Sequence, residues 1–390
     1  MRDEVEATIR GWDAYERARG ATPVIDYDLH PQDAAAPAAS RYEVLHRLGE
    51  LRAAAPGDTD PRLIARLTAD IAYLQAMLGV RATLRDYVRQ TQGCDAAGWP
   101  EEYVTFRGDQ AREALAGFGI PWDATSREQL EEVEGRLDLA AAPDAIREAA
   151  TGLEPDVRAL AGTDAPFRLA IETADVDAYW AYWLDGAGAD ARLRLNLRRA
   201  RFTAVMARQF ALHEVLGHAL QSASIAARCA GVPWVRLMSV HAPQQVASEG
   251  LAQALPLFVT PDDRHLVARV RLAHYTQLVL AELYVAINSG ANVADCVRHG
   301  RARVPYWRDE LIGDALSDAG TNPLLRSYLW SYPAGVDWFV RLAETDPAAA
   351  PAVLRAAYRE PLAPADLATF APDGPPIGGP GRQATLPSRR

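Results

Sequence analysis

Two histidines and a glutamate, His213, Glu214 and His218, sit inside an apolar stretch that reads as one long helix from 202 to 229. The flanking Leu212, Val215, Leu216, Ala219 and Leu220 mark that helix as buried. Titratable groups in a buried helix are costly unless each finds a partner, so the fold has to bring something to this one. The spacing narrows the choice further. In a regular helix, about 100° of rotation per residue leaves an i, i+5 pair about 140° apart, too far apart to share a metal ion. One extra residue must be absorbed, and a π-bulge does so by swinging His218 back onto the face of His213. Gly217 is the expected place for that strain. Converging imidazoles suit zinc, and Glu214 is then placed to act as general base on a metal-activated water, which is hydrolytic chemistry.

A hydrolytic zinc site needs a third protein ligand and one open position. Glu249, in Ser248-Glu249-Gly250-Leu251-Ala252, is the best candidate: one helix end and one loop separate it from His218, so a second helix can run back past the first. Its small, apolar neighbours leave the carboxylate in need of a partner. A carboxylate satisfied by an arginine or a backbone donor is the plainer alternative. His241 is the rival ligand and is otherwise a loop histidine.

Composition removes other chemistries. With 390 residues and 49% hydrophobic content the chain can bury a large core. A net charge of −10, from 51 acidic against 41 basic residues, disfavours a nucleic-acid partner. No lysine is present, so Schiff-base, pyridoxal phosphate and Walker-type phosphate-loop mechanisms are excluded. Cys94, Cys229 and Cys296 lie too far apart for a metal pair or a disulfide framework. A charged start and the lack of a long apolar run point to a cytoplasmic protein with no membrane partner.

The periodicity predicts a mainly α (α+β) fold. Helices are expected at 3–20, within 41–92, at 100–118, 127–141, 143–161, 202–229 and 243–255, and several more across 262–342. Strands are expected at 167–173, 177–184 and 191–197, with a turn at Asp185-Gly186-Ala187-Gly188. They form a small antiparallel sheet next to the metal-binding helix. The chain divides into a helical region at 1–160, a catalytic region at 161–370 and a Gly/Pro-rich disordered tail at 371–390.

The pairing of His213-Glu214-x-x-x-His218 with Glu249-Gly250-Leu251-Ala252 resembles the HExxxH metallopeptidases that include the microtubule-associated tyrosine carboxypeptidases and the bacterial QEGLA-motif proteins. Ser248 stands where the QEGLA form has Gln. The resemblance implies a zincin-like fold, His213, His218 and Glu249 as zinc ligands and Glu214 as catalytic base. A looser similarity is to the helical bacterial metallopeptidases with an HE…GHxxQ helix, an EGxA helix and a later Tyr-x-x-Gly element. Here Gly217-His218-Ala219-Leu220-Gln221 and Tyr332-Pro333-Ala334-Gly335 take those places. Tyr332 would then stabilise a tetrahedral oxyanion, although Tyr328, Trp330 and Trp338 make a core stripe an equally good account.

Three residues are assigned to substrate. Arg326 could clamp a terminal carboxylate and make the enzyme a carboxypeptidase, a structural arginine being the alternative. Tyr328 lies one helical turn before Tyr332. Asn196 ends the alternating strand 191–197, which as an edge strand could hold an extended peptide. Trp180 and Trp183 read as core or cleft wall. The expected substrate is a peptide or a small amide or ester; a non-catalytic zincin-like binding protein is the remaining reading.

Overall fold

The computed structural model describes residues 1–176, 182–198 and 201–381. The architecture is mainly α-helical with a small sheet, as the periodicity predicts. The chain opens with α1 (Arg2–Ala18), a two-residue strand β1 (Tyr27–Asp28), then α2 (Arg41–Ala53), α3 (Pro61–Met77), α4 (Leu84–Gln92), α5 (Glu101–Ala116), α6 (Ser126–Val133) and α7 (Ala142–Ala161). Local signals set the boundaries. Ser40 caps α2 by accepting from the Glu43 N–H, and Asp60 caps α3 with Pro61 in its first turn. Gly93, at φ +68°, ends α4.

Three longer strands follow: β2 (Arg168–Ala174), β3 (Tyr182–Ala187) and β4 (Asp190–Asn196). Another two-residue strand, β5 (Leu237–Met238), completes a sheet of order β2-β4-β3-β1-β5. The sheet is mixed rather than antiparallel. β3 and β4 form a hairpin, but β2 lies parallel to β4 and β1 parallel to β3. The hairpin turn falls at Gly188 and Ala189, with Gly188 at φ +57°, so Asp185 to Ala187 remain in β3. Strand 191–197 is therefore not an edge: β4 is paired on both sides and β2 takes the outer position. Ala191, Leu193 and Leu195 of β4 face the core, while Arg192 and Arg194 meet Asp185 on the other face.

The long helix begins as α8 (Ala204–Phe210), passes through a π-helical segment (Ala211–Leu220) and ends as α9 (Gln221–Ala226). After it come α10 (Gln245–Ala254), α11 (Pro256–Val259), α12 (Arg264–Asn288), α13 (Val293–Arg303), α14 (Asp309–Thr321), α15 (Pro323–Tyr328), α16 (Ser331–Thr345), α17 (Ala350–Ala357) and α18 (Pro364–Phe370). No described helix is long and apolar enough to cross a membrane.

Packing crosses the boundary expected at residue 160. α7 shares a core with the π segment, α10 and α17, and Val88, Trp99 and Val104 pack with Val246, Tyr275 and Ala334. Part of the expected disordered tail is held in place. The Asp95 and Gly98 N–H groups donate to the Ile377 and Gly378 carbonyls, and the Gly381 N–H donates back to the Gly98 carbonyl. Residues 382–390 lie outside the described residues.

Beside β1, Asp26 accepts from the Val240 N–H at 2.8 Å. Burial pushes its carboxyl up to about 7; the Val240 N–H opposes that shift and the charge of Asp13 adds to it. Below the ordinary value of 3.8 both folded and unfolded states are protonated. Between 3.8 and about 7 only the unfolded state releases its proton, so this group's contribution to stability falls as pH rises through that window. Asp26→Asn is expected to raise the urea midpoint by an amount that grows from about pH 4 to about pH 8. A gain independent of pH would contradict the assignment.

Candidate metal centre

The site starts with the helix that carries the histidines. Thr203 caps α8 by accepting from the Met206 N–H at 3.0 Å, and the helix then widens over the ten residues Ala211–Leu220. The i, i+5 problem is solved as expected, although the wide geometry occupies the whole stretch rather than a single bulge. His213 and His218 come to the same face, with Nε2 atoms 3.2 Å apart and rings nearly perpendicular at 85°. Gly217 is required by close approach: a Cβ there would lie 2.8 Å from both the Ala252 Cβ and the Leu212 carbonyl oxygen. α10 thus lies directly against the π segment.

Two further glycines bring in the third helix. A Cβ on Gly250 would lie 2.3 Å from the Gly335 backbone, and one on Gly335 would lie 2.0 Å from the Val246 carbonyl oxygen. α10 and α16 therefore cross backbone to backbone, at a separation that only glycine permits. This crossing places Tyr328 and Tyr332 beside Glu249.

His213, His218 and Glu249 form a cluster able to hold a metal ion, with ligand atoms all within 4.8 Å of one another. Glu249 Oε2 lies 3.4 Å from His213 Nε2 and 3.5 Å from His218 Nε2. Metal bonds of about 2.0–2.1 Å in a tetrahedral shell set neighbouring ligand atoms about 3.3 Å apart, so all three separations fit. The surrounding contacts of His218 and Glu249 leave one atom of each for the centre. His218 Nδ1 meets Ser248 Oγ at 3.1 Å, and Ser248 Oγ donates to Gln221 Oε1 at 3.3 Å; this pairing favours the tautomer that leaves Nε2 as an acceptor. The Tyr328 hydroxyl donates to Glu249 Oε1 at 2.7 Å. Glu249 Oε2 is buried and forms no well-aligned hydrogen bond. One buried carboxylate oxygen and two partly buried imidazole nitrogens facing one point are what a cation satisfies.

Glu214 lies beside the cluster, its Oε1 3.7 Å from His213 Nε2. Burial raises its pKa, the two imidazoles oppose that shift and the charge of Glu249 adds to it. For Glu249, burial is outweighed by His218 and His213, and the carboxyl is held well below its usual range. The Tyr328 and Tyr332 hydroxyls are 2.7 Å apart. Burial, then the charge of Glu249, keeps both protonated. Tyr182, at the start of β3, was not among the expected site residues. Its ring meets Phe210 edge-on at 4.8 Å, and the side chain is about half exposed. Its only trace in the sequence is membership of an aromatic cluster; of that cluster, Tyr179 and Trp180 lie outside the described residues.

Other candidates are placed elsewhere. Arg326 does not reach the centre. Its Nε donates to Asn288 Oδ1 at 2.7 Å and its Nη2 to the Ala82 carbonyl at 2.8 Å, and its guanidinium stacks on Tyr87, so it is a structural arginine. Asn196 is fully buried, donates to the Val176 carbonyl and accepts from the Arg198 N–H; it shapes the end of β4. His241 is not a ligand. Its Nε2 meets Asp70 Oδ1 at 2.7 Å, and Asp70 is held by Arg66, which ties α3 to the loop before α10. An open cleft of about 740 Å³ lies along β2, β3 and α1. Its walls include the ion pairs Arg10–Asp28, Arg168–Asp190 and Arg192–Asp185, and the metal-ligand cluster is not part of it.

No known protein family matches this chain by its sequence profile, and no curated protein is similar to it in sequence. Among solved structures, the chain is similar to one described as "the putative lipoprotein from Colwellia psychrerythraea", with a TM-score of 0.53 and 13% identity over 85% of this chain. It spans 59% of that protein's length. This likeness concerns the fold alone. The M32 carboxypeptidase from Deinococcus radiodurans R1 aligns over 96% of this chain and 93% of its own at 13% identity, but its TM-score of 0.36 is too low to bear on the fold.

Proposed function

We propose that this chain is a zinc-dependent hydrolase of peptide or amide bonds, with His213, His218 and Glu249 as ligands and Glu214 as general base. The observation that carries the reading is the unsatisfied Glu249 Oε2 facing two Nε2 atoms at tetrahedral spacing, with a second, uncommitted carboxylate alongside. A purely structural metal site has no use for that second carboxylate. When bound, zinc supplies Lewis acidity, lowering the pKa of water to near neutrality and polarising a carbonyl.

The protein's own groups do the rest. Glu214 takes the proton of the attacking water and passes it to the leaving nitrogen. Because the single hydroxyl proton of Tyr328 is committed to Glu249, the 2.7 Å contact between the two hydroxyls is donated by Tyr332, whose proton is the one of the pair that can turn from Tyr328 to an oxyanion. The motif pairing with the HExxxH peptidases supports the same roles. With Arg326 engaged elsewhere, nothing in the described site favours a carboxypeptidase over cleavage within a peptide.

The test is incubation of the zinc-loaded protein with acetylated, amidated peptides and with simple amides and esters. Cleavage that stops with a chelator and returns with zinc is the expected outcome. A zinc-loaded protein that hydrolyses none of them would overturn the proposal.

A further inference from the structure

We propose that the side-chain amide of Gln253 anchors the substrate by pairing with an uncharged peptide unit next to the bond that is cleaved; this rests on the hydrolase reading above. Gln253 Nε2 is buried and has no hydrogen-bond partner. Buried amide groups are nearly always paired, so this one is placed for a group that arrives from outside.

Its position follows from the contacts of α10. With about 100° per residue, Ser248 and Ala252 lie about 100° and 60° to one side of Glu249. Those two meet His218 and Gly217 of the π segment. Gly250 and Val246 lie about 100° and 60° to the other side, and both meet Gly335 of α16. The face between these two contacts holds Glu249 and, about 40° away and one turn along, Gln253. It therefore opens into the same gap where the histidines and Tyr332 meet. α10 also runs antiparallel to the π segment, from Ser248 beside Gln221 to Ala252 beside Gly217. Continuing that register by one residue sets Gln253 at the level of Leu216, within one turn of His213.

The chemistry of the group selects its ligand. A carboxamide offers one donor and one acceptor edge with no charge, which matches the C=O and N–H of another amide. The unpartnered Nε2 is a neutral donor that matches a peptide C=O, whereas a terminal carboxylate would bring a third negative group beside Glu214 and Glu249 with only a neutral amide to receive it. The inferred substrate therefore extends past the scissile bond with at least one further peptide unit, and Gln253 is a binding residue rather than a participant in proton transfer.

The test is hydroxamate binding to the zinc-loaded full-length protein by calorimetry. Acetohydroxamate reports on the metal alone, and a set of N-acetyl dipeptidyl hydroxamates adds peptide units. Wild type is expected to bind the best dipeptidyl member more tightly than acetohydroxamate. Gln253→Met, of matching length but unable to hydrogen-bond, should lose about tenfold of that preference while keeping acetohydroxamate affinity, zinc content and Tm. Gln253→Glu, which replaces the donor edge with a charge, should lose at least as much. If neither variant changes the preference, or wild type shows none, the inference is overturned and the hydrolase reading stands. If acetohydroxamate itself does not bind, the metal reading fails and takes the inference with it.

Discussion

Glu214→Gln is expected to keep its metal and lose about 10²- to 10⁴-fold in kcat/KM. The substitution preserves shape and removes only the ability to take a proton. The three converging donor atoms belong to His213, His218 and Glu249, and Glu214 lies to one side of them with its Oε1 3.7 Å from His213 Nε2. Metal affinity should therefore change little while proton transfer is lost. Burial already disfavours the charged form of this carboxyl, so the neutral amide should leave the fold at least as stable as wild type. Zinc content, Tm and peptide turnover measured on the same preparation check all three statements. A variant that turns over at the wild-type rate would remove Glu214 from the mechanism.

Gly335→Ala is expected to be among the most damaging small substitutions in the chain. The added methyl would lie 2.0 Å from the Val246 carbonyl oxygen and close to Gly250. Both neighbours are helical backbone, which cannot swing aside as the end of a side chain can. α10 and α16 must separate, at a cost of about 3 kcal/mol. The same separation pulls the Tyr328 hydroxyl away from its 2.7 Å contact with Glu249, so activity should fall together with stability. Gly313, within α14, is the control: a Cβ there meets nothing within 4 Å, and Gly313→Ala should be neutral or stabilise by about 0.5–1 kcal/mol. Urea unfolding of the two variants separates a specific helix crossing from a general intolerance of alanine. Equal stability of Gly335→Ala and wild type would contradict the crossing.

Much of this arrangement is legible in the residues because it depends on local spacing. An i, i+5 histidine pair in an apolar helix demands a widened turn, and the π segment is there. Gly217 sits where the π segment meets α10, and Gly250 and Gly335 face each other where α10 crosses α16. What is not legible depends on contacts between distant residues. β1 and β5 are two residues each, too short for any periodicity, and the parallel pairing of β2 with β4, which makes the sheet mixed, leaves no mark in either strand's own pattern. Arg326 resembles a substrate clamp until Asn288 and Ala82 are seen to occupy its guanidinium. His241 similarly resembles a ligand until Asp70, a residue of α3, claims its Nε2. Gln253 has no motif of its own; its role emerges only once its neighbours on α10 are assigned to two different helices.

Metal content decides the central claim most directly. Protein purified without added metal and analysed by inductively coupled plasma mass spectrometry should hold one zinc per chain, and His213→Ala, folded to the same Tm, should hold none. A wild-type protein that takes up no metal even when zinc is supplied, or a His213→Ala variant that keeps it, would contradict the assignment of His213, His218 and Glu249 as a metal centre.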